Sequence, residues 1–167
     1  MRGEVRIFDF GVAKELKAQD LIEPPFGYNA TGLTGTRRYM APEVLLSAPY
    51  GPPADVFSFT VLAWQMLALR RPFAYLDNEE HTRHVAIQCK RPPLLSRFST
   101  LLRDLLAQGW AHDPKLRPSC QDICSTLKVE IVKTSDLSSS ILDRTKHLAE
   151  RSIKSFYYER KSHSDGR

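Results

Sequence analysis

Residues 54–69 read ADVFSFTVLAWQMLAL, and they constrain the fold more than any other stretch. Val56, Phe57, Phe59, Val61, Leu62, Trp64, Met66, Leu67 and Leu69 leave no polar face on a helix. A helix that is apolar around its whole circumference is buried on all sides. The stretch therefore predicts a central helix around which other elements pack. At about 24 Å it is too short to cross a bilayer. No other apolar run reaches the roughly 18 residues that a membrane span needs. With 42% hydrophobic and 26% charged residues, the 167-residue chain has enough apolar sequence to surround such a helix in one globular domain.

Charge and cysteine usage narrow the functional classes. The net charge is +5, but the densest basic pairs, Arg37-Arg38 and Arg70-Arg71, lie far apart in sequence. Nucleic-acid binding usually needs such residues clustered on one face, so no nucleic acid is expected as a partner. Met1-Arg2-Gly3-Glu4 lacks the apolar core of a signal peptide, and no membrane association is expected. Cys89, Cys120 and Cys124 form neither a CxxC pair nor a metal-ligand set. An odd cysteine count without an export signal implies a reducing compartment, hence an intracellular, cytoplasmic setting, with the nucleus also open.

The remaining elements follow from local signals. Val5-Arg6-Ile7-Phe8 alternates and reads as a short strand. Residues 14–40 read as loop, broken by Pro24-Pro25, Gly27, Gly32 and Gly35. A short helix follows with Pro42 in its first turn. Asp77 with Glu80 forms a capping-box pattern for a helix through about Cys89. Ser99 can cap the next, whose apolar face is Leu101, Leu102, Leu105 and Leu106, with Gly109 as its closing glycine. Ser119 with Asp122 caps a last core helix whose stripe is Cys120, Ile123, Cys124, Leu127 and Ile131. That stripe reads the two cysteines as core residues. Beyond Lys133 the chain is Ser-rich and then holds a candidate amphipathic helix at 140–161, with Leu142, Ala149, Ile153 and Phe156 on one side. It reads either as a partner-binding helix or as one that packs on its own domain.

The chemistry-bearing motifs occur in one order: Asp9-Phe10-Gly11, then GTRRYMAPE ending at Glu43, then the apolar helix opening at Asp55, then HDPKLRP containing Arg117. In these motifs the sequence resembles the protein kinase family over residues 4–128. DVFSF and RRPF are similar to the tyrosine kinase-like group of serine/threonine kinases. The resemblance implies a mainly α fold, the large helical lobe of the kinase, with a short β element at the start and a C-terminal tail at 129–167. It implies an activation segment at 9–43 and a helical core at 44–128. It also implies ATP and magnesium as cofactors, with a protein substrate.

Residue by residue, the resemblance makes Asp9 the carboxylate that holds magnesium on the nucleotide phosphates. Phe10 is the residue whose packing sets the orientation of Asp9, and Gly11 supplies a hinge. Thr36 stands beside the substrate hydroxyl. The segment's other hydroxyls are Tyr28, Thr31 and Thr34. Thr31 and Thr34 are the candidate sites for a phosphate that orders the segment. Glu43 and Arg117 match a buried ion pair, and the Asp55 carboxylate matches one that bonds to the catalytic-loop backbone. One departure is Thr60, where the family usually carries glycine.

The absences matter equally. No G-x-G occurs in the chain, and only eight residues precede Asp9. The Gly-rich loop, the strand lysine and the catalytic loop all lie upstream of this motif in the family. Leu102-Arg103-Asp104-Leu105 imitates part of a catalytic loop, but it lies on a helix after the motif and reads as a salt-bridging face. The chain alone is therefore expected to be inactive and to bind neither ATP nor magnesium. It reads either as part of a longer kinase or as a non-catalytic kinase-like binding module. Without upstream helices over the central one, an apolar patch is expected at the surface.

Overall fold

The computed structural model describes residues 9–23, 27–29, 32–33 and 35–134. The expected strand at 5–8 and tail helix at 140–161 lie outside the described residues. The chain divides into two compact units, Met1–Cys124 and Ser125–Arg167. The first unit is mainly helical. Its described elements are a two-stranded ribbon, β1 (Leu21–Glu23) and β2 (Gly27–Tyr28), and four α-helices: α1 (Pro42–Leu45), α2 (Pro52–Ala68), α3 (Asn78–Thr82) and α4 (Thr100–Gly109). Helical residues 120–124 end this unit, and 125–134 are the described part of the second.

The ribbon corrects the reading of 14–40 as loop. Its strands are three and two residues long, too short for a hydrophobic alternation to show in sequence.

Helix α2 organises the first unit. Two prolines at Pro52 and Pro53 start it, where missing backbone N–H groups cost nothing. Phe57, Val61 and Trp64 are almost fully buried in the core, with Met40, Val44, Leu45, Phe98, Leu106 and Trp110 among their cluster. Each such side chain contributes about 1.5–3 kcal/mol by leaving water. At the C-terminal end, Arg97 Nη2 donates to the carbonyls of Leu67 and Ala68 at 3.1 and 3.0 Å, placing a cation on orphan acceptors.

Helix α2 is not buried on all sides, and the apolar patch expected at its surface is present. Phe59, Leu62 and Met66 are 39%, 42% and 58% exposed. These three lie at helical spacing on one face. Helix α4 and the turns at 37–39 and 114–116 pack on α2 and cover only part of its circumference. Such a stripe usually marks an interface once it exceeds a few hundred Å². We expect the isolated chain to self-associate and bind hydrophobic dye. Leu62→Lys with Met66→Glu should shift it toward a monomer by size-exclusion chromatography. Unchanged elution and dye binding would mean that the stripe is not the adhesive surface.

The contact between α2 and α4 explains two residues together. Gly109 is buried within α4, as its last residue. A Cβ built there would lie 3.1 Å from Thr60 Cβ, and closer still to the Thr60 hydroxyl. Gly109 is thus required by close helix approach, and the helix ends at Trp110, whose φ is −105°. Gly109 closes α4, as expected, and does so without a left-handed backbone. Thr60 itself is buried and donates to Val56 O at 2.7 Å. Gly109→Ala should cost about 1–3 kcal/mol by overpacking. Thr60→Gly should restore part of that loss in the double variant. Additive losses in urea melts would show that the two positions do not compete for space.

The caps at the other helices are formed. Asp77 accepts from the N–H groups of Glu79 and Glu80, and the Glu80 carboxylate accepts from the Asp77 N–H. The following residues, Arg83–Ile87, form a π-helical turn, so regular α geometry stops at Thr82. Ser99 Oγ accepts from Leu102 N at 3.1 Å. Ser119 Oγ accepts from Asp122 N, while Asp122 Oδ2 accepts from the Ser119 N–H and hydroxyl. These bonds hold the Asp122 carboxyl below its usual pKa.

Two further expectations fail. Cys120 and Cys124 are exposed free thiols, because Ile123 is the residue of that stripe that is buried. Arg103 reaches Thr100 Oγ1 at 3.5 Å, with no carboxylate partner among the described residues, so the 102–105 stretch is a helix face without the expected salt bridge.

Candidate active site

Residues Asp9 to Leu16 form one wall of a cleft of about 370 Å³, and α1, the 50–51 loop and the first turns of α2 form the other. Asp9, Lys14, Tyr50, Asp55 and Ser58 bring polar atoms to its lining. Asp9 has φ +67°, a left-handed conformation that aspartate tolerates better than most residues. Its side chain is exposed. Phe10 is 68% exposed, so no packing of its ring fixes Asp9 in the described chain. An added Cβ at Gly11 would meet Asp9 Oδ1 at 3.4 Å, an ordinary contact, and local space does not demand glycine here.

Asp55 stands across the cleft from Asp9. The residue is open to solvent as a whole, yet the cleft walls strip enough water from its carboxyl to raise its pKa. Tyr50 is raised as well, first by burial and then by the nearby Asp55 charge. Among the described residues no hydrogen bond reaches the Asp55 carboxylate.

As a metal site the cleft is partial. Among the described residues no group of three His, Cys, Asp or Glu side chains could hold an ion. Magnesium, however, is commonly held through one or two carboxylates together with substrate phosphates and water. Asp9 fits one such position, exposed on the cleft.

From Asp9 the chain folds back on itself. Residues Ala18–Asp20 make a 3-10 turn, and β1 pairs antiparallel with β2, Leu21 opposite Tyr28 and Glu23 opposite Gly27. Lys14 Nζ donates to Asn29 O, and Asn29 N donates to Asp20 O at 2.8 Å. Tyr28 and Tyr50 exchange backbone hydrogen bonds at 3.1 and 3.3 Å, tying the segment to the loop before α2. Thr31 and Thr34 lie outside the described residues. Thr36 is exposed in extended conformation immediately before the 3-10 turn Arg37–Tyr39.

That turn is held to α2 and to the loop that follows it. Arg38 Nη1 donates to Pro72 O and Phe73 O at 2.6 and 2.7 Å. The Tyr39 hydroxyl donates to Gln65 Oε1 at 2.9 Å, and Ser58 Oγ donates to Tyr39 O at 2.8 Å.

Glu43, on α1, meets Arg117 in a two-pronged ion pair. Arg117 Nη1 lies 2.6 Å from Glu43 Oε1, and Nη2 lies 2.9 Å from Oε2. The Arg117 side chain is fully buried, and that of Glu43 is 11% exposed. The same guanidinium donates to Ala111 O, Pro53 O and His112 O. It also lies over the Phe57 ring at 5.1 Å. Arg91 lies over that ring too, at 5.0 Å, and donates to Trp110 O and Val85 O. Burial lowers the Arg91 pKa, and the Arg117 charge adds to the effect.

Sequence reasoning missed Arg38, Arg91, Tyr50 and Ser58. Each acts through backbone carbonyls or cleft walls, and no motif spacing marks such contacts.

The sequence that forms this cleft, looped segment and ion pair is similar to that of known proteins. The protein kinase domain family matches residues 1–129, and the chain belongs to that family. It is 36% identical over 141 residues to the dual specificity protein kinase shkB of Dictyostelium discoideum, covering 83% of this chain and 20% of that protein. It is 38% identical over 125 residues to the serine/threonine-protein kinase VIK of Arabidopsis thaliana, covering 74% and 28%. A third relative, the Arabidopsis serine/threonine-protein kinase STY17, is 33% identical over 132 residues, covering 79% and 22%. The chain thus spans less than a third of the length of each of these relatives.

Proposed function

We propose that this chain supplies the activation segment and helical core of an ATP- and magnesium-dependent protein serine/threonine kinase of the tyrosine kinase-like group. The observation that carries this reading is the shared cleft. Asp9 and Asp55 line one cavity, and the segment between Asp9 and Glu43 leads from it to a buried anchor at Arg117. Asp9 supplies a carboxylate for magnesium on the nucleotide phosphates, and the bound metal neutralises charge on the transferred group. Thr36 borders the substrate hydroxyl, Thr31 and Thr34 are the modification candidates, and Glu43 with Arg117 holds the segment's end. Names of the relatives, which include serine/threonine and dual-specificity kinases, support the substrate class.

On this reading the 167 residues do not transfer phosphate alone. They contain no G-x-G stretch, and none of the catalytic-loop residues that precede the metal-holding aspartate in the family. The test is a chimera that joins the upstream half of a related kinase domain to this chain. ATP-dependent labelling of a generic protein substrate by the chimera supports the reading. Soluble, nucleotide-binding but inactive chimera would oppose it.

A second reading, a non-catalytic kinase-like binding module, is favoured by the exposed Phe59, Leu62 and Met66 stripe. On that reading the stripe serves a protein partner in the cell, and a setting without a membrane is expected. No described helix is long and apolar enough to cross a membrane. Tight magnesium-ATP binding by the longest natural form of the protein would discriminate in favour of the enzyme.

A further inference from the structure

A buried imidazole lies away from the cleft, at the point where α3 meets the Arg37–Tyr39 turn. His81 is 4% exposed, and among the described residues neither ring nitrogen has a hydrogen-bond partner of good geometry. Its ring meets Phe73 edge-on, with centroids 5.5 Å apart and planes at 79°. Phe73 is the residue whose carbonyl accepts from Arg38 at 2.7 Å, so a permanent cation is fixed beside the imidazole's neighbour. Beyond the Arg38 backbone, which approaches the ring without good hydrogen-bond geometry, no described group bonds the neutral imidazole, and it carries a desolvation cost of the kind that buried polar groups seldom keep without a role.

The charged groups that act on His81 are cationic. Arg38 and Arg37 face it from the turn, and His84 from the π-helical turn that continues its own helix. The Arg38 backbone near the ring works the other way, more weakly than burial and the Arg38 charge. Of the carboxylates at the start of α3, Glu79 is exposed and is not among the groups that act on His81, and the other two are committed elsewhere. Asp77 accepts from two backbone N–H groups, and Glu80 accepts from the Asp77 N–H. No counter-ion for a protonated His81 is therefore at hand among these residues.

We propose that His81 is a proton-sensitive latch: neutral, it seals α3 against the turn that carries Arg37 and Arg38, and protonated, it places a second buried cation beside Arg38 and releases that contact. Burial, followed by the Arg38 charge, lowers the His81 pKa in the closed arrangement. The sign follows from linkage. The released state has an imidazole of ordinary pKa, about 6.5, and binds more protons than the closed state. The closed contact is thus fully present above about pH 6.5 and is lost as pH falls through and below that value. Nothing in this device depends on phosphoryl transfer, so it stands or falls apart from the kinase reading.

Hydrogen exchange of the full chain, corrected for intrinsic rates, reads the latch directly. Between about pH 7.5 and about pH 5.5, on either side of the ordinary imidazole range, amides at 37–41 and 78–87 should lose about tenfold protection. Those in the middle of α2 should keep theirs. His81→Phe, which keeps a ring and removes the titration, should abolish the pH effect. Equal loss of protection in His81→Phe, or none in the wild type, would overturn the proposal. Should the variant not fold, the wild type still decides. Loss confined to the two segments supports a latch, and uniform loss that includes α2 overturns it.

Discussion

Arg117→Ala is expected to remove about 5 kcal/mol of stability, the upper end of the cost of breaking a buried ion pair. The truncation leaves the Glu43 carboxylate, 11% exposed, without its partner. It also strips donors from the carbonyls of Ala111, Pro53 and His112 and removes the cation over Phe57. Glu43→Ala is expected to cost less, about 3 kcal/mol, because the guanidinium keeps its three carbonyl acceptors. The two sites share one contact, so the double variant should cost less than the sum of the singles. Total stability of a domain this size is only about 5–15 kcal/mol. Arg117→Ala should therefore stand close to unfolding. Urea melts of the variants, made in the Leu62→Lys/Met66→Glu background to limit association, give the comparison. Equal losses for the two singles, or strict additivity, would mean that the Arg117 carbonyl bonds and the ion pair carry no such weight.

Asp9→Asn, placed in the chimera with an upstream half-domain, is expected to lower turnover by at least about 10³-fold. A metal that neutralises transferred-phosphoryl charge contributes several kcal/mol, and each 1.36 kcal/mol is tenfold in rate. The amide keeps the shape of the side chain and loses the anionic oxygen that magnesium needs. Stability should change little, since Asp9 is exposed. The discriminating measurement is the magnesium dependence of the residual rate. Partial rescue by higher magnesium fits a weakened metal site. Unaltered turnover in Asp9→Asn would remove Asp9 from that role.

The fold was legible where a single side chain or a short pattern carries the physics. Pro42, the Asp77–Glu80 box, Ser99 and Ser119 mark helix starts through local geometry and hydrogen bonds, which need no knowledge of the rest of the chain. The uniform apolarity of α2 was legible as a central helix, and an uncovered face on it was expected from the motifs this sequence does not contain. Apolarity states what a side chain avoids, and Phe59, Leu62 and Met66 remain open to water in the described chain. The reading of Cys120 and Cys124 as core residues failed. A stripe at helical spacing names a face, but the packing around Ile123 decides how wide that face is.

At the site, Asp9, Asp55, Glu43 and Arg117 were named through the resemblance, and the structure places the last two in direct contact. The contacts of Arg38 and Arg91 were hidden because backbone carbonyls at Pro72, Phe73, Val85 and Trp110 carry no side-chain signature. The pairing of Thr60 with Gly109 was half visible. Thr60 stood out as a residue of unusual size for its position, and only the approach of α4 shows which residue yields space to it.

The most direct test of the central claim is phosphoryl transfer itself, with labelled ATP, magnesium and a generic protein substrate. The 167-residue chain and the chimera are assayed side by side. The account predicts labelling by the chimera, lost in Asp9→Asn, and none above a heat-treated control by the chain alone. Labelling by the chain alone, abolished by Asp9→Asn, would contradict it.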